Sequence, residues 1–170
     1  MENKLYKEFI EQSLNFINQC TAKIKSCLKE LDEKDIWYSP NENLNSIGNL
    51  ILHLSGNIRE YIISSLGAEP DIRERDLEFS TRGGFTNAEL IRKLEDTVEK
   101  AKIVITGISL KNLLQVRIVQ GFSYSGVGNI IHVTEHYSYH TGQIVFLTKL
   151  LKNKDMGFYA GMDLNKRNSI

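Results

Sequence analysis

The sequence predicts an all-α four-helix bundle with long connections between its helices. Three observations predict it. Four segments carry apolar residues at steps of three and four, and nowhere does strict alternation run long enough to build a sheet. The only prolines, Pro40 and Pro70, fall where the periodicity breaks, so they punctuate helices rather than kink them. At 170 residues the chain is expected to form one domain over residues 1–170, large enough to bury a core without staples.

The first helix is marked by Leu5, Phe9, Ile10, Leu14, Ile17, Cys20, Ile24, Cys27, Leu28 and Leu31, one long amphipathic stripe. Residues Asp32 to Asn45 read as a loop packed down by Trp37 and Tyr38. The second helix starts at Asn45-Ser46, which can cap it, and turns Ile47, Leu50, Leu54, Ile58, Tyr61 and Ile62 inward until Gly67 and Pro70 end it. Asp71 to Phe85 is charged and then glycine-containing, a long loop of the kind that often carries function. Thr86 and Glu89 form a capping box for a third helix through Leu90, Ile91, Leu94, Val98, Ala101, Ile105 and Ile108. Leu114 to Val119 reads as a short strand or an extended connector, and Gly121, Gly126 and Gly128 loosen the stretch after it. The fourth helix runs from about Val127 to Leu151, with Ile130, Ile131, Thr134, Ile144, Val145, Thr148 and Leu151 on its apolar side. Leu164 to Ile170 is expected to fray.

Composition narrows the function classes. Hydrophobic residues make up 41% and charged residues 25%, too apolar for a disordered chain. Lys+Arg and Asp+Glu are 21 each, so no basic stripe speaks for nucleic acid or a polybasic membrane anchor. A net charge of zero favours self-association, most simply as a homodimer. No apolar run approaches the roughly 20 residues of a membrane span. Cys20 and Cys27 lie two helical turns apart, about 10 Å, too far for a disulfide. Two unpaired thiols and no secretory signal imply a cytoplasmic protein, with both cysteines acting as small core hydrophobes.

The histidines carry the chemistry. Of four, His53, His132, His136 and His140, three stand four residues apart on the fourth helix. Imidazoles at that spacing project from one face about 6 Å apart along the axis, close enough for two to share one divalent ion. The outer two are about 12 Å apart along the axis, too far to share one. On a wheel centred on Ile130, His140 lies about 80° from the apolar centre, His136 about 120° and His132 about 160°. The pair is therefore His136 with His140, and His132 falls near the solvent face. His53, flanking the second helix's apolar stripe beside Asn57, supplies a third imidazole from across the bundle. Three such ligands leave a position open, as in catalytic zinc sites. Spacing alone leaves open the alternative of hydrogen-bonded histidines at the core margin.

These residues also carry a resemblance. His136-Tyr137-Ser138-Tyr139-His140-Thr141-Gly142-Gln143-Ile144 resembles the HxxxHxGQI signature of the DinB/YfiT-like superfamily. Ser46 to Asn57 resembles its second-helix motif of a histidine followed by a small and a polar residue. His53 to Asn57, the run Glu135 to His140 and the Gly157-Phe158-Tyr159 close are similar to the DUF1572 branch. The resemblance spans essentially the whole chain in helix order and spacing. It implies a four-helix bundle holding a divalent metal, zinc or nickel, through His53, His136 and His140. It also implies a small-molecule substrate and a thiol S-transferase using a low-molecular-weight thiol such as bacillithiol or mycothiol. The alternatives it leaves are a metal-dependent hydrolase and a non-enzymatic metal-binding or structural protein linked to stress.

Around the histidines, Gln143 and Asn57 are the expected partners of the ligands' second nitrogens, with Glu135 a rival less well placed. Gly142 allows close helix packing or room for a substrate. Tyr137 is core or pocket wall with its hydroxyl satisfied. Arg73, Arg75 and Arg82 read as solvated loop charges, with recognition of a carboxylate the alternative. No phosphate-binding glycine loop, nucleophile elbow or Cys-His pair is present, and no catalytic residue is assigned.

Overall fold

The computed structural model describes residues 2–167, so the last three residues of the tail expected to fray lie outside it. The chain folds as a four-helix bundle with a small hairpin added at one side. In chain order the elements are α1 (Glu2–Glu30), α2 (Glu33–Trp37), α3 (Ile47–Ile58), α4 (Arg75–Ser80), α5 (Asn87–Gly107), α6 (Leu110–Leu114), β1 (Val116–Val119), β2 (Phe122–Ser125) and α7 (Gly126–Lys152). The long helices pack in the cyclic order α1, α7, α3, α5, each against two neighbours. Their apolar stripes meet in a core that includes Ile24, Leu28, Ile51, Leu54, Leu90, Leu94, Ile130 and Ile144. Cys20 and Cys27 are buried in it as free thiols.

The caps sit where the sequence puts them. Ser46 accepts from Asn49 N–H and Asn49 reaches back to Ser46, a full capping box for α3. Thr86 and Glu89 do the same for α5. Past Ile58, α3 winds on as a π-helix over Arg59–Ser64 before Gly67 ends it. A wider turn of this kind is frequent at functional sites, and here it carries Glu60, which pairs with Arg73, and Tyr61, which lies against His132.

The connections hold more order than their composition announces. Asp32–Asn45 contains α2, started by an Asp32/Asp35 capping box. Trp37 does pack it down, lying against Gly48 and donating to the Phe85 carbonyl at 3.2 Å, whereas Tyr38 is exposed. Asp71–Phe85 contains α4. Val116–Val119 is a strand, paired antiparallel with a second one that periodicity did not reveal. The two-residue turn between them, Gln120-Gly121, has positive φ at both positions, 51° and 80°, the type I′ geometry that matches strand twist. Gly126 and Gly128 loosen nothing; they form the first turn of α7, capped by Ser125.

The apolar face of α7 is rotated from its expected position. Ile131 is 54% exposed, while Val133 and Tyr137 are buried with Ile130, Thr141, Ile144 and Thr148. The centre of the buried stripe thus lies roughly 35° closer to the histidines than a wheel centred on Ile130 places it. The burial of Val133 and Tyr137 decides this, and Tyr137 shares a 2.9 Å hydrogen bond with Thr21 of α1.

Candidate metal centre

The capping box of α3 fixes its start, and the seventh residue of that helix, His53, then faces α7 with 5% exposure. From α7, His136 and His140 face back. The Nε2 atoms of His53 and His136 are 2.8 Å apart. The rings of His53 and His140 are 5.0 Å apart and those of His136 and His140 are 4.4 Å apart, each pair edge to face. One nitrogen from each of the three imidazoles falls within 4.8 Å of the others. The nitrogens of a tetrahedral site with bonds of about 2.0–2.1 Å stand about 3.3 Å apart, so the cluster has the dimensions to hold a small divalent ion.

The second nitrogens fit that role too. His53 Nδ1 lies 2.9 Å from Glu78 Oε2, so its proton is donated to a carboxylate and its Nε2 lone pair points at the cluster. His140 Nδ1 lies 2.6 Å from Gln143 Oε1 and donates there, again freeing Nε2. Burial, reinforced by the neighbouring imidazoles, pushes the His136 pKa down to about 3, leaving that ring neutral at any physiological pH. Burial also holds His140 below the ordinary histidine value. Neutral imidazoles with inward lone pairs are what a metal needs from histidine.

Glu78 was not legible in the sequence, whereas Arg73, which holds it, meets the alternative of recognising a carboxylate. Glu78 comes from α4, is 7% exposed, and is gripped at both oxygens by Arg73, at 2.7 Å from Nε and 2.8 Å from Nη2. Arg73 also bonds Glu60, from the π-helical segment. Burial alone would push the Glu78 carboxyl up; the contacts with Arg73 and His53 outweigh it and hold the group below its ordinary value. Gly56 makes room for this arrangement, since a side chain there would overlap the Glu78 carboxylate. The signal that could have found Glu78 is chemical: a ligating histidine calls for a carboxylate partner, and Asp71–Phe85 is rich in them.

The other candidates divide by the partners they meet. Gln143 meets a histidine of the cluster. Asn57 does not: its side-chain amide donates to His132 Nε2 at 3.3 Å, because α3 and α7 run antiparallel and Asn57 lies one turn past His53. His132 is half-buried and not at the solvent face, its ring 4.2 Å from Tyr61 and stacked 5.4 Å from His136. The inward rotation of α7 accounts for this. Arg73 is a buried ion-pair partner rather than a solvated charge. Arg82 bonds the carbonyls of Phe79 and Thr81, and exposed Arg75 lies over the Phe79 ring, which in turn covers His53 at 4.7 Å.

Comparison with known proteins bears on the fold. No curated protein matches the sequence. A conserved protein from Enterococcus faecalis of solved structure superposes with a TM-score of 0.72 at 16% identity, over 85% of this chain and 97% of that one. A mutant of mycothiol-dependent maleylpyruvate isomerase superposes with a TM-score of 0.64 at 14% identity. That match spans 79% of this chain and 60% of the isomerase. The family model described as "Protein of unknown function (DUF1572)" matches residues 4–160. On that match the chain belongs to the DUF1572 family, and its fold is that of the DinB/YfiT-like helical proteins.

Proposed function

We propose that this chain is a metal-dependent thiol S-transferase in which His53, His136 and His140 hold a zinc or nickel ion. The observation that carries the reading is the convergence of three imidazoles, with the outer nitrogens of His53 and His140 committed to Glu78 and Gln143. Support for the thiol comes from a neighbour in fold described as mycothiol-dependent, an analogy of fold rather than of site. A divalent ion supplies Lewis acidity, which lowers the pKa of a thiol and favours the nucleophilic thiolate.

The chain's own residues do the rest. Glu78 keeps the proton of His53 on Nδ1, and Arg73 keeps Glu78 ionised so that it accepts rather than donates. Gln143 orients His140, and Phe79 shields one face of His53 from water. The co-substrate is a bacillithiol-like thiol, whose sulfur loses its proton to solvent and bonds to the carbon of a small electrophile as that carbon's bond to its leaving group breaks, chloride in the case of a chloroarene. Asn57, through His132, borders the same groove without touching the three ligands. A cytoplasmic homodimer completes the reading, its association to be measured by sedimentation equilibrium.

The test has two steps. Protein purified without a histidine tag should carry about one equivalent of zinc or nickel and lose it in His136→Ala with its helical signal intact. Less than about a tenth of an equivalent, with no uptake of added metal, overturns the site. The loaded protein is then offered bacillithiol with 1-chloro-2,4-dinitrobenzene, and separately ester and amide substrates. Thiol conjugation supports the transferase; turnover of esters or amides alone assigns the site to hydrolysis.

A further inference from the structure

A pocket lies next to the histidine cluster, one turn along α7. Because α3 and α7 run antiparallel, Asn57 meets His132, His53 meets His136, and one turn further along Leu50 comes beside Gln143 and Leu147. There a solvent-open pocket of about 500 Å³ has a wall that includes Leu50, Gly142 and Leu147, with exposed Tyr139 and Phe146 at its rim. Two lining residues are continuous with the candidate metal centre. Gln143 accepts the hydrogen bond of His140, and the Tyr139 ring lies 5.0 Å from the His140 ring. Asn43 and Asn45 add polar groups at the rim, giving the mix of apolar wall and sparse hydrogen-bonding groups typical of small-molecule sites.

Gly142 is exposed and lines that pocket. A glycine inside a helix is costly relative to alanine, and tight packing or an unusual backbone angle is the ordinary reason to keep one. Neither applies. Gly142 lies in the middle of α7 and outside the left-handed region, and a Cβ added to it would meet nothing within 4 Å. The expectation of close helix packing at this position is therefore not met. What a side chain there would take away is room in the cavity.

We infer that the cavity beyond His140 receives the apolar part of the small molecule whose reacting group meets the three imidazoles, and that Gly142 sets the size limit for it. The substituent is aromatic or branched aliphatic, and its neighbours are Leu50, Tyr139 and Leu147. The inference rests on the proposed metal-dependent reading and adds the substrate class to it.

The experiment uses the full chain loaded with cobalt, with phenylmethanethiol and 2-mercaptoethanol as probes. Binding is read from the sulfur-to-cobalt charge-transfer band, and from the methyl resonances of Leu50 and Leu147 with and without cobalt. Phenylmethanethiol is expected to bind about tenfold more tightly than 2-mercaptoethanol, the return for burying one ring. It should also shift both methyls. Gly142→Leu should abolish the preference and the methyl shifts, with cobalt content unchanged and Tm unchanged or raised. Equal affinities in the wild type, or a preference that survives Gly142→Leu, overturns the inference. A protein that takes up no cobalt removes the metal reading, and the methyl shifts then decide the cavity alone: their absence in the wild type overturns it. Methyl shifts produced by raising protein concentration without probe assign the space to a second copy, which also overturns it.

Discussion

At the scale of single residues, the site depends on a chain of contacts running inward from Arg73 to Glu78 to His53. Glu78→Gln preserves shape but removes the charge that fixes the His53 proton, so zinc affinity measured by chelator competition should fall 10- to 100-fold, roughly, with little change in fold. Arg73→Met is a harsher change. It strands Glu60 and Glu78, both under 10% exposed, and should cost about 3–5 kcal/mol in urea unfolding. Acid should act on the metal-free protein through His136. Its pKa of about 3 in the fold lies below the ordinary 6.5, so the unfolded chain binds the proton first. Stability should therefore decline as pH drops from about 6.5 towards 3, followed by chemical denaturation at fixed pH steps. The histidines were legible because their spacing is a local, helical property. Glu78 was not, because it lies 25 residues along the chain from His53, in a charged segment with no period to mark it.

At the scale of elements, local chemistry decided what could be read. The long helices were visible because apolar periodicity and capping residues both announce them, and the Ser46/Asn49 and Thr86/Glu89 boxes stand at the expected ends. The short helices α2 and α4 were hidden, since one or two turns bury too few side chains to leave a pattern; tertiary contacts hold them. The π-helical segment was hidden for another reason: Tyr61 and Ile62 are buried as an α-helix would bury them, and only the backbone winding differs. Two substitutions test this scale. Ser46→Ala removes a cap that is 2% exposed and should lower stability by about 1 kcal/mol. Gly142→Ala should raise it by up to about 1 kcal/mol, because the helix gains propensity where nothing obstructs a methyl. Thermal and urea unfolding of both variants report the sign directly.

At the scale of the molecule, the bundle followed from the sequence and the alignment of its two functional helices did not. Knowing that α3 and α7 each carry histidines leaves their register free. The buried face of α7 includes Val133 and Tyr137, and with that face turned inward His132 lies beside Tyr61. The core lies between all four long helices and the histidine cluster between two of them. Metal removal should thus leave the helical circular dichroism intact while lowering Tm. With zinc at 100 times its dissociation constant, the loss on chelation should be about 2.7 kcal/mol.

The Arg73 cluster has an electrostatic meaning beyond holding His53 in place. One guanidinium shares two buried carboxylates, Glu60 and Glu78, so these three side chains together carry a surplus of one negative charge beside the imidazoles. A monovalent cation would merely cancel that surplus. A divalent one held by the histidines would reverse it, leaving a single positive charge beside them. Such a field holds an anion, whether thiolate or hydroxide, more firmly than its neutral conjugate acid. The two acidic residues thus set the background charge against which an ion in the cluster would act, and that ion would favour the ionised form of whatever comes to it.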